Sequence, residues 1–159
     1  MLRRLLSQFL SGVRSTSVAT SPLPPVAERP YRGDFVGTAV IDYRPDPDGT
    51  PDPGEIVWTW VPFEEDHGQG KDRPVLIVAQ RRTALLCLML TSKDHDGRAG
   101  ADDYVDIGAG PWDPRRRPSE VRIDRVLQID PEAVRREGAI LERRRFELVA
   151  EALRSRGWR

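Results

Sequence analysis

Cysteine, histidine and methionine are scarce in this chain of 159 residues, which has one Cys, two His and two Met. A single cysteine, Cys87, excludes an intrachain disulfide framework and a cysteine-rich zinc site. No run reaches the roughly 18 to 20 apolar residues that span a bilayer, so an integral membrane protein is not expected. The usual catalytic signatures are missing too. There is no Gly-rich phosphate loop, no His-Glu-x-x-His, no Cys pair and no Gly-x-Ser-x-Gly elbow. What is present suits one compact domain plus a tail. A domain of this size buries roughly two thirds of its unfolded surface and needs no disulfide or metal staple.

Net charge is also absent, because 25 Lys+Arg oppose 25 Asp+Glu, but the signs are segregated along the chain. Residues 31–72 carry 3 basic and 10 acidic side chains, whereas residues 114–159 carry 13 and 8. An Arg-rich second half is compatible either with solvated helix faces or with a basic face toward a phosphate-bearing partner.

Leu2, Leu5, Leu6, Phe9, Leu10 and Val13 recur at helical spacing among Arg3, Arg4 and Arg14, with no acidic residue between them. This pattern predicts a short basic amphipathic helix over residues 1–14. Such a helix can touch an anionic membrane surface weakly, enter a partner's groove, serve as a targeting segment or dock on its own domain. The apolar positions are periodic rather than continuous, which argues against a signal peptide. Residues 15–30, STSVATSPLPPVAERP, read as a Ser/Pro-rich linker. The globular domain is expected over residues 31–159.

Within it, strands are expected over residues 35–43 and 55–63, followed by a hairpin of two buried strands at 75–79 and 84–90. Residues 93–103 read as a long polar loop. Further strands are expected at 104–107 and 119–129, the second with a bulge. Asp130 is placed to cap a short helical turn from Pro131 that Gly138 ends. Leu141, Phe146, Val149, Ala150 and Leu153 then mark one face of a terminal helix. The fold class is therefore mainly β with a terminal α-helix, a strongly bent antiparallel sheet closed as a barrel.

The two histidines, His67 and His95, lie in loops among carboxylates. Adjacent residues in a polar loop seldom converge on one ion, so neither loop is read as a metal site. Arg73 carries more information. It stands at the mouth of a buried strand beside a proline that fixes the backbone, a good way to aim a guanidinium at a phosphate. Thr91 and Ser92 leave the next strand. If the two strands are antiparallel, an Arg fork and two hydroxyls share one rim. Trp58 and Trp60 share a strand face and are read as core or dimer packing. Trp112, in a Gly-Pro-Trp-Asp loop, is read either as core or as a platform on which single-stranded RNA bases stack.

The order Pro-Gly-Glu-Ile-Val-Trp (53–58), Gln-Gly-Lys-Asp-Arg-Pro-Val-Leu-Ile-Val (69–78), Leu-Thr-Ser (90–92) and Val-Arg-Ile-Asp-Arg-Val-Leu-Gln-Ile-Asp (121–130), then a helix, resembles the MazF/PemK family of toxin endoribonucleases. The resemblance covers about residues 54–155. It implies an SH3-like barrel of the MazF/PemK/CcdB kind, built as a homodimer, in the cytoplasm, with a cognate antitoxin protein as partner and single-stranded RNA as substrate. It implies no cofactor and no metal, since in the family the RNA 2′-OH attacks its own phosphodiester to leave a 2′,3′-cyclic phosphate and a 5′-OH. It assigns Arg73 and Thr91 as the catalytic pair. Ser92, Gln69, Lys71, His67 and Trp112 are expected to support them or bind substrate. An Arg is too basic to be an efficient general base near neutral pH, so Arg73 is read as an electrostatic stabiliser. Where the family usually places Ser-Glu this chain has His67-Gly68, and where it often has Arg-Thr this chain has Leu127-Gln128. His67 is either an exposed loop residue or a replacement proton-transfer group. A related lineage with this fold poisons DNA gyrase, so the competing reading is a non-catalytic barrel that binds a protein target or acts as a regulatory module.

Overall fold

The structure, a computed structural model, describes residues 30–159. The expected helix over 1–14 and all but the last residue of the expected linker lie outside the described residues. Eight strands and one helix follow in chain order: β1 (Asp34–Phe35), β2 (Glu55–Pro62), β3 (Gly70–Arg81), β4 (Ala84–Thr91), β5 (Tyr104–Gly108), β6 (Ser119–Arg122), β7 (Val126–Ile129), β8 (Arg136–Ile140) and α1 (Arg143–Arg154). All the pairings are antiparallel. They run in the order β1-β7-β4-β3-β2-β8, with β5 and β6 paired off this path.

The hairpin of β3 and β4 is the centre of the sheet, and its sequence explains why. Val75, Leu76, Ile77 and Val78 are all fully buried, although neighbours along a strand point to opposite faces. Both faces of the sheet are therefore covered. On one face Val57, Val75, Ile77, Leu85, Cys87 and Leu127 form a core. On the other, Leu76, Val78, Leu86 and Leu88 pack with Phe146, Val149 and Leu153 of α1. Each such aliphatic or aromatic side chain contributes about 1.5–3 kcal/mol by leaving water. Burial also raises the pKa of the Cys87 thiol, which keeps this residue a packing group rather than a nucleophile.

β4 bends the sheet by changing partners along its length. Leu85, Leu86 and Cys87 face Ile129, Gln128 and Leu127 of β7, whereas Leu90 and Thr91 face Val121 and Glu120 of β6. The expected bulge in residues 119–129 is thus a full break at residues 123–125, and it separates two strands. Arg125 in that break is buried and donates through Nε and Nη2 to Asp34, which also accepts from the Tyr31 hydroxyl. These bonds attach the start of the domain to β7. They also hold the Asp34 carboxyl below its usual range against the opposing push of burial.

Two expectations are corrected. Residues 35–43 do not form one strand: only Asp34–Phe35 pairs in a ladder, Gly37 turns the chain at φ 114, and Val36 is 90% exposed. The rest is a strap tied to the C-terminus and to β3 through Ile41 N to Arg159 O, Arg159 N to Ala39 O, and Asp42 N to Val78 O. The turn after Asp130 is a single 3-10 turn over Pro131–Ala133, capped as expected by the Asp130 carboxylate accepting from Glu132 N. Gly138 does not end a helix but lies inside β8, because the free edge of β2 takes up the segment as a ladder partner. The terminal helix forms with Phe146, Val149, Ala150 and Leu153 buried, as its spacing predicts.

Candidate active site

β3 pairs with β2 through Thr59 opposite Arg73, and with β4 through Val75 opposite Met89. That second ladder ends at Val75–Met89, two residues short of Arg73 and Thr91, and beyond it both residues line one cavity. Thr91 in turn faces Glu120, and Glu120 faces Asp106. Thr59 and Arg73 thus form one cross-strand pair, and Thr91, Glu120 and Asp106 a second row on β4, β6 and β5.

The side chain of Arg73 is partly buried, yet it has no hydrogen bond or ion pair among the described residues. Among the described residues, the three other arginines that are at least partly buried all have partners. Arg122 binds Asp124 and Glu64, Arg125 binds Asp34, and Arg145 binds the Ala109 carbonyl. An unneutralised guanidinium withdrawn from water is costly unless an anion completes it. Thr91 is prepared as well. Its Oγ1 accepts from Lys93 N at 3.1 Å, which leaves its O–H free to donate elsewhere.

Arg73, Thr91 and Ser92 line one cavity of about 170 Å³ together with Trp58, Asp113, Arg117 and Ser119, among others. The strand pairing thus brings together the three residues expected to share a rim. Three of these lining residues, Asp113, Arg117 and Ser119, were not singled out from the sequence. Asp113 is buried and accepts from Arg117 Nε at 2.8 Å and from Arg115 N at 2.9 Å. The Arg117 guanidinium and that backbone amide hold its carboxyl below the usual range. In the sequence this segment is only a charge run, Asp-Pro-Arg-Arg-Arg. A larger cavity of about 720 Å³ is lined by Tyr31, Thr59, Trp60, Gln128 and Arg135, among others. It includes neither Arg73 nor Thr91.

Trp112 is not the stacking platform that one reading of the sequence allowed. Its ring is only 3% exposed, donates from Nε1 to Ser119 Oγ, and lies against Gly110 so closely that any side chain there would fall inside it. Its carbonyl accepts from Trp58 Nε1 at 3.0 Å, so the two tryptophans brace the cavity wall. His67, Gln69 and Lys71 are exposed and do not line the cavity. His67 packs edge-on to Tyr31 with ring centroids 5.0 Å apart. Gln69 donates to Asp66.

The second histidine is more constrained. His95 stacks flat on Tyr104 at 3.7 Å and places Nδ1 2.6 Å from Glu120 Oε2, while its backbone N donates to Glu120 Oε1. Asp94, Asp96 and Glu120 bring carboxylate oxygens within 4.8 Å of one another. Both Glu120 oxygens are already engaged by His95, and Asp94 Oδ1 accepts from Asp96 N, so the group reads as the closure of the 93–103 loop onto β6.

The resemblance anticipates a central antiparallel hairpin with Arg73 and Thr91 near its open end, and the two line one cavity there. The chain belongs to the PemK-like, MazF-like toxins of type II toxin–antitoxin systems, whose family model matches residues 52–156. Among solved structures it is similar to the Mycobacterium tuberculosis toxin MazF-mt6, at 19% sequence identity and a TM-score of 0.45, over 64% of this chain and 93% of that chain. No curated protein matches it by sequence. Among the described residues no helix is long and apolar enough to cross a membrane.

Proposed function

We propose that this toxin is an endoribonuclease that cleaves single-stranded RNA by transesterification, with Arg73 and Thr91 as its catalytic residues and without a metal ion. The observation that carries this reading is the partly buried Arg73, which has no side-chain partner among the described residues and lines one cavity with Thr91. When the RNA 2′-oxygen attacks the neighbouring phosphorus, negative charge accumulates on the non-bridging oxygens. A preorganised guanidinium in a partly dehydrated site stabilises that charge more than water does. The free Thr91 hydroxyl donates to one of the same oxygens, and Ser92 lies beside it. The products are a 2′,3′-cyclic phosphate and a 5′-OH. Family membership supports a homodimer, a cytoplasmic location and an antitoxin that masks the RNA site. For residues 1–14 we keep the proposal of a weak membrane-surface contact, which vesicle flotation before and after their deletion tests.

The deciding experiment is cleavage of a long single-stranded RNA in EDTA by wild type, Arg73→Ala and Thr91→Ala, with end-group analysis. Wild-type cleavage to 5′-OH ends, lost in both variants, is expected. Intact RNA in the presence of folded wild-type protein refutes the reading and leaves a protein target as the alternative.

A further inference from the structure

The cavity that holds Arg73 and Thr91 has a second guanidinium, Arg117, and it is attached differently from the arginines that hold the fold together. Arg125 grips Asp34 with both Nε and Nη2, and Arg122 grips Asp124 with the same two groups. That is the bidentate fork, in which an arginine commits its donors to one carboxylate. Arg117 touches Asp113 through Nε alone, at 2.8 Å. The other oxygen of Asp113 accepts from Arg115 N at 2.9 Å, which prevents the fork. No hydrogen bond among the described residues uses Arg117 Nη1 or Nη2, so the whole Nη edge of a fixed guanidinium is left open.

The mount is rigid although the residues it carries are exposed. Asp113 and Ser119 are buried, and residues 114–118 between them are not. Trp58 Nε1 donates to Trp112 O, Trp112 Nε1 donates to Ser119 Oγ, and Arg116 N donates to Asp113 O, so both ends of the loop are tied to the cavity wall. Stability does not call for the pair of Asp113 and Arg117. The Arg117 side chain is 52% exposed, and an ion pair so open to water contributes little. A contact that adds little stability, fixes Nε and frees the Nη edge serves to orient the guanidinium. Charge points to what it is oriented toward. Arg73, Arg117 and Arg135 oppose Asp72 and Asp113 around the cavity, and Asp72 is held by Arg135 at 2.9 Å. Each carboxylate has its arginine and Arg73 has none, which leaves an excess that a singly charged phosphodiester neutralises. The volume of about 170 Å³ is below the roughly 300–1,000 Å³ of sites that enclose whole small molecules. It suits a phosphate with part of its sugar, and two guanidinia in so small a space address the same anion.

We propose that Arg117, oriented by Asp113, is the second phosphate-binding arginine of this site, an inference that rests on the ribonuclease reading for the identity of that phosphate as the scissile one. Its Nη edge donates to a non-bridging oxygen from the loop, while Arg73 donates from β3. Arg117 stays charged throughout and transfers no proton. It meets the phosphate on the half-open side of the cavity, so it contributes to holding the RNA before attack as well as to the rate. Asp113 is a positioning residue.

The test measures the affinity of wild type, Arg117→Ala, Arg117→Lys and Asp113→Asn for a short single-stranded RNA with a 2′-deoxy nucleotide at the cleaved position. Each variant's fold is checked by thermal melting. The same RNA is then made with a neutral methylphosphonate in place of one linkage at a time. Arg117→Ala is expected to bind the fully charged RNA about tenfold more weakly or worse. On the RNA whose scissile linkage is neutral, that difference is expected to vanish, since the contact is then missing from both sides of the comparison. Neutral linkages elsewhere are expected to leave it in place. Arg117→Lys keeps the charge without the fork and is expected to fall between. Asp113→Asn is expected to lose affinity too, whereas a purely structural Asp113 would lower the melting temperature and leave the affinity of the folded protein unchanged. If Arg117→Ala binds within about threefold of wild type, or loses as much whichever linkage is neutral, Arg117 is surface charge and the inference falls. If folded wild type binds RNA without cutting it, the ribonuclease reading falls alone: a loss tied to one linkage still sustains phosphate binding by Arg117, and a loss tied to none overturns it.

Discussion

Replacing Arg73 by Ala separates catalysis from stability, because the structure assigns this side chain almost nothing to hold together. It has no hydrogen bond or ion pair among the described residues, so truncation leaves no buried partner unsatisfied. A change without such a penalty stays within about 0.5–1 kcal/mol of wild type, which for a domain of this size is a shift in Tm below about 5 °C. Under the proposed mechanism the same change removes the guanidinium that stabilises the developing phosphorane. Deleting one preorganised donor at such a centre costs about 2.7–4 kcal/mol of barrier, a loss of 10²–10³ in rate. Arg73→Lys keeps the charge but loses the planar fork, and is expected to fall between. Thermal melts and single-turnover cleavage in EDTA on the same protein samples read both quantities. Cleavage retained within about threefold by a folded Arg73→Ala refutes the assignment. So does a loss of activity matched by a large fall in Tm, since Arg73 would then be a structural residue.

Asp34→Ala strands the buried Arg125 guanidinium, and a broken buried pair costs about 3–5 kcal/mol; urea unfolding is expected to show it as a lower midpoint at unchanged slope. Trp112→Ala empties a ring-sized volume beneath the site and is expected to cost a similar 3–5 kcal/mol, whereas an exposed stacking residue would cost little stability and mainly weaken RNA binding. Asp34, Asp113 and Asp124 all have carboxyls held below their ordinary value. Their folded pKa values lie under the unfolded ones, so their contribution is fully present above the unfolded carboxylate pKa of about 3.9 and is lost as pH falls through the folded values. Urea midpoints at successive pH values below 5 are expected to drop, and to drop less in Asp113→Asn.

The central hairpin was legible because burial on two faces leaves a continuous apolar run, and Val75 to Ala79 and Ala84 to Leu90 carry one. The polar first third of β3, Gly-Lys-Asp-Arg, was not, since its strand state comes from pairing with β2 rather than from its own residues. β8 shows the same effect more strongly: Arg-Glu-Gly-Ala-Ile has neither period, and only the open edge of β2 makes it a strand. Conversely, Phe35 to Tyr43 looks like a strand and is a strap, because its hydrogen bonds go to the chain's own C-terminus. Arg73 and Thr91 could be found as residues at strand ends. Glu120 and His95 could not, since they meet across 25 positions through a loop closure that no local pattern announces. Trp112 had one usable signal, a glycine two residues earlier where the ring folds back.

The charge segregation acquires a narrower meaning once its partners are known. Residues 114–159 hold 13 basic and 8 acidic side chains, but many of the arginines are answered locally, Arg122 by Asp124 and Glu64, Arg125 by Asp34, Arg135 by Asp72, and Arg156 by Asp103. Neutralised pairs cast little field beyond a Debye length of about 8–10 Å. Among the described residues of this stretch Arg115, Arg116, Arg144, Arg145 and Arg159 have no ion partner, and of these Arg115 and Arg116 sit together in the loop that carries Arg117 to the cavity holding Arg73. RNA attraction is therefore expected to be concentrated at this loop rather than spread over the second half of the chain. Replacing both, with Asn at position 116 because its backbone is left-handed at φ 53, is expected to weaken binding of a non-cleavable RNA. Each lost phosphate contact flattens the plot of log affinity against log salt by about 0.7, so the pair should flatten it by about 1.4. Arg73→Ala should instead act mainly on the saturating rate constant. A slope unchanged by the double replacement would show that the loop guides no RNA, and that the basic excess is surface charge alone.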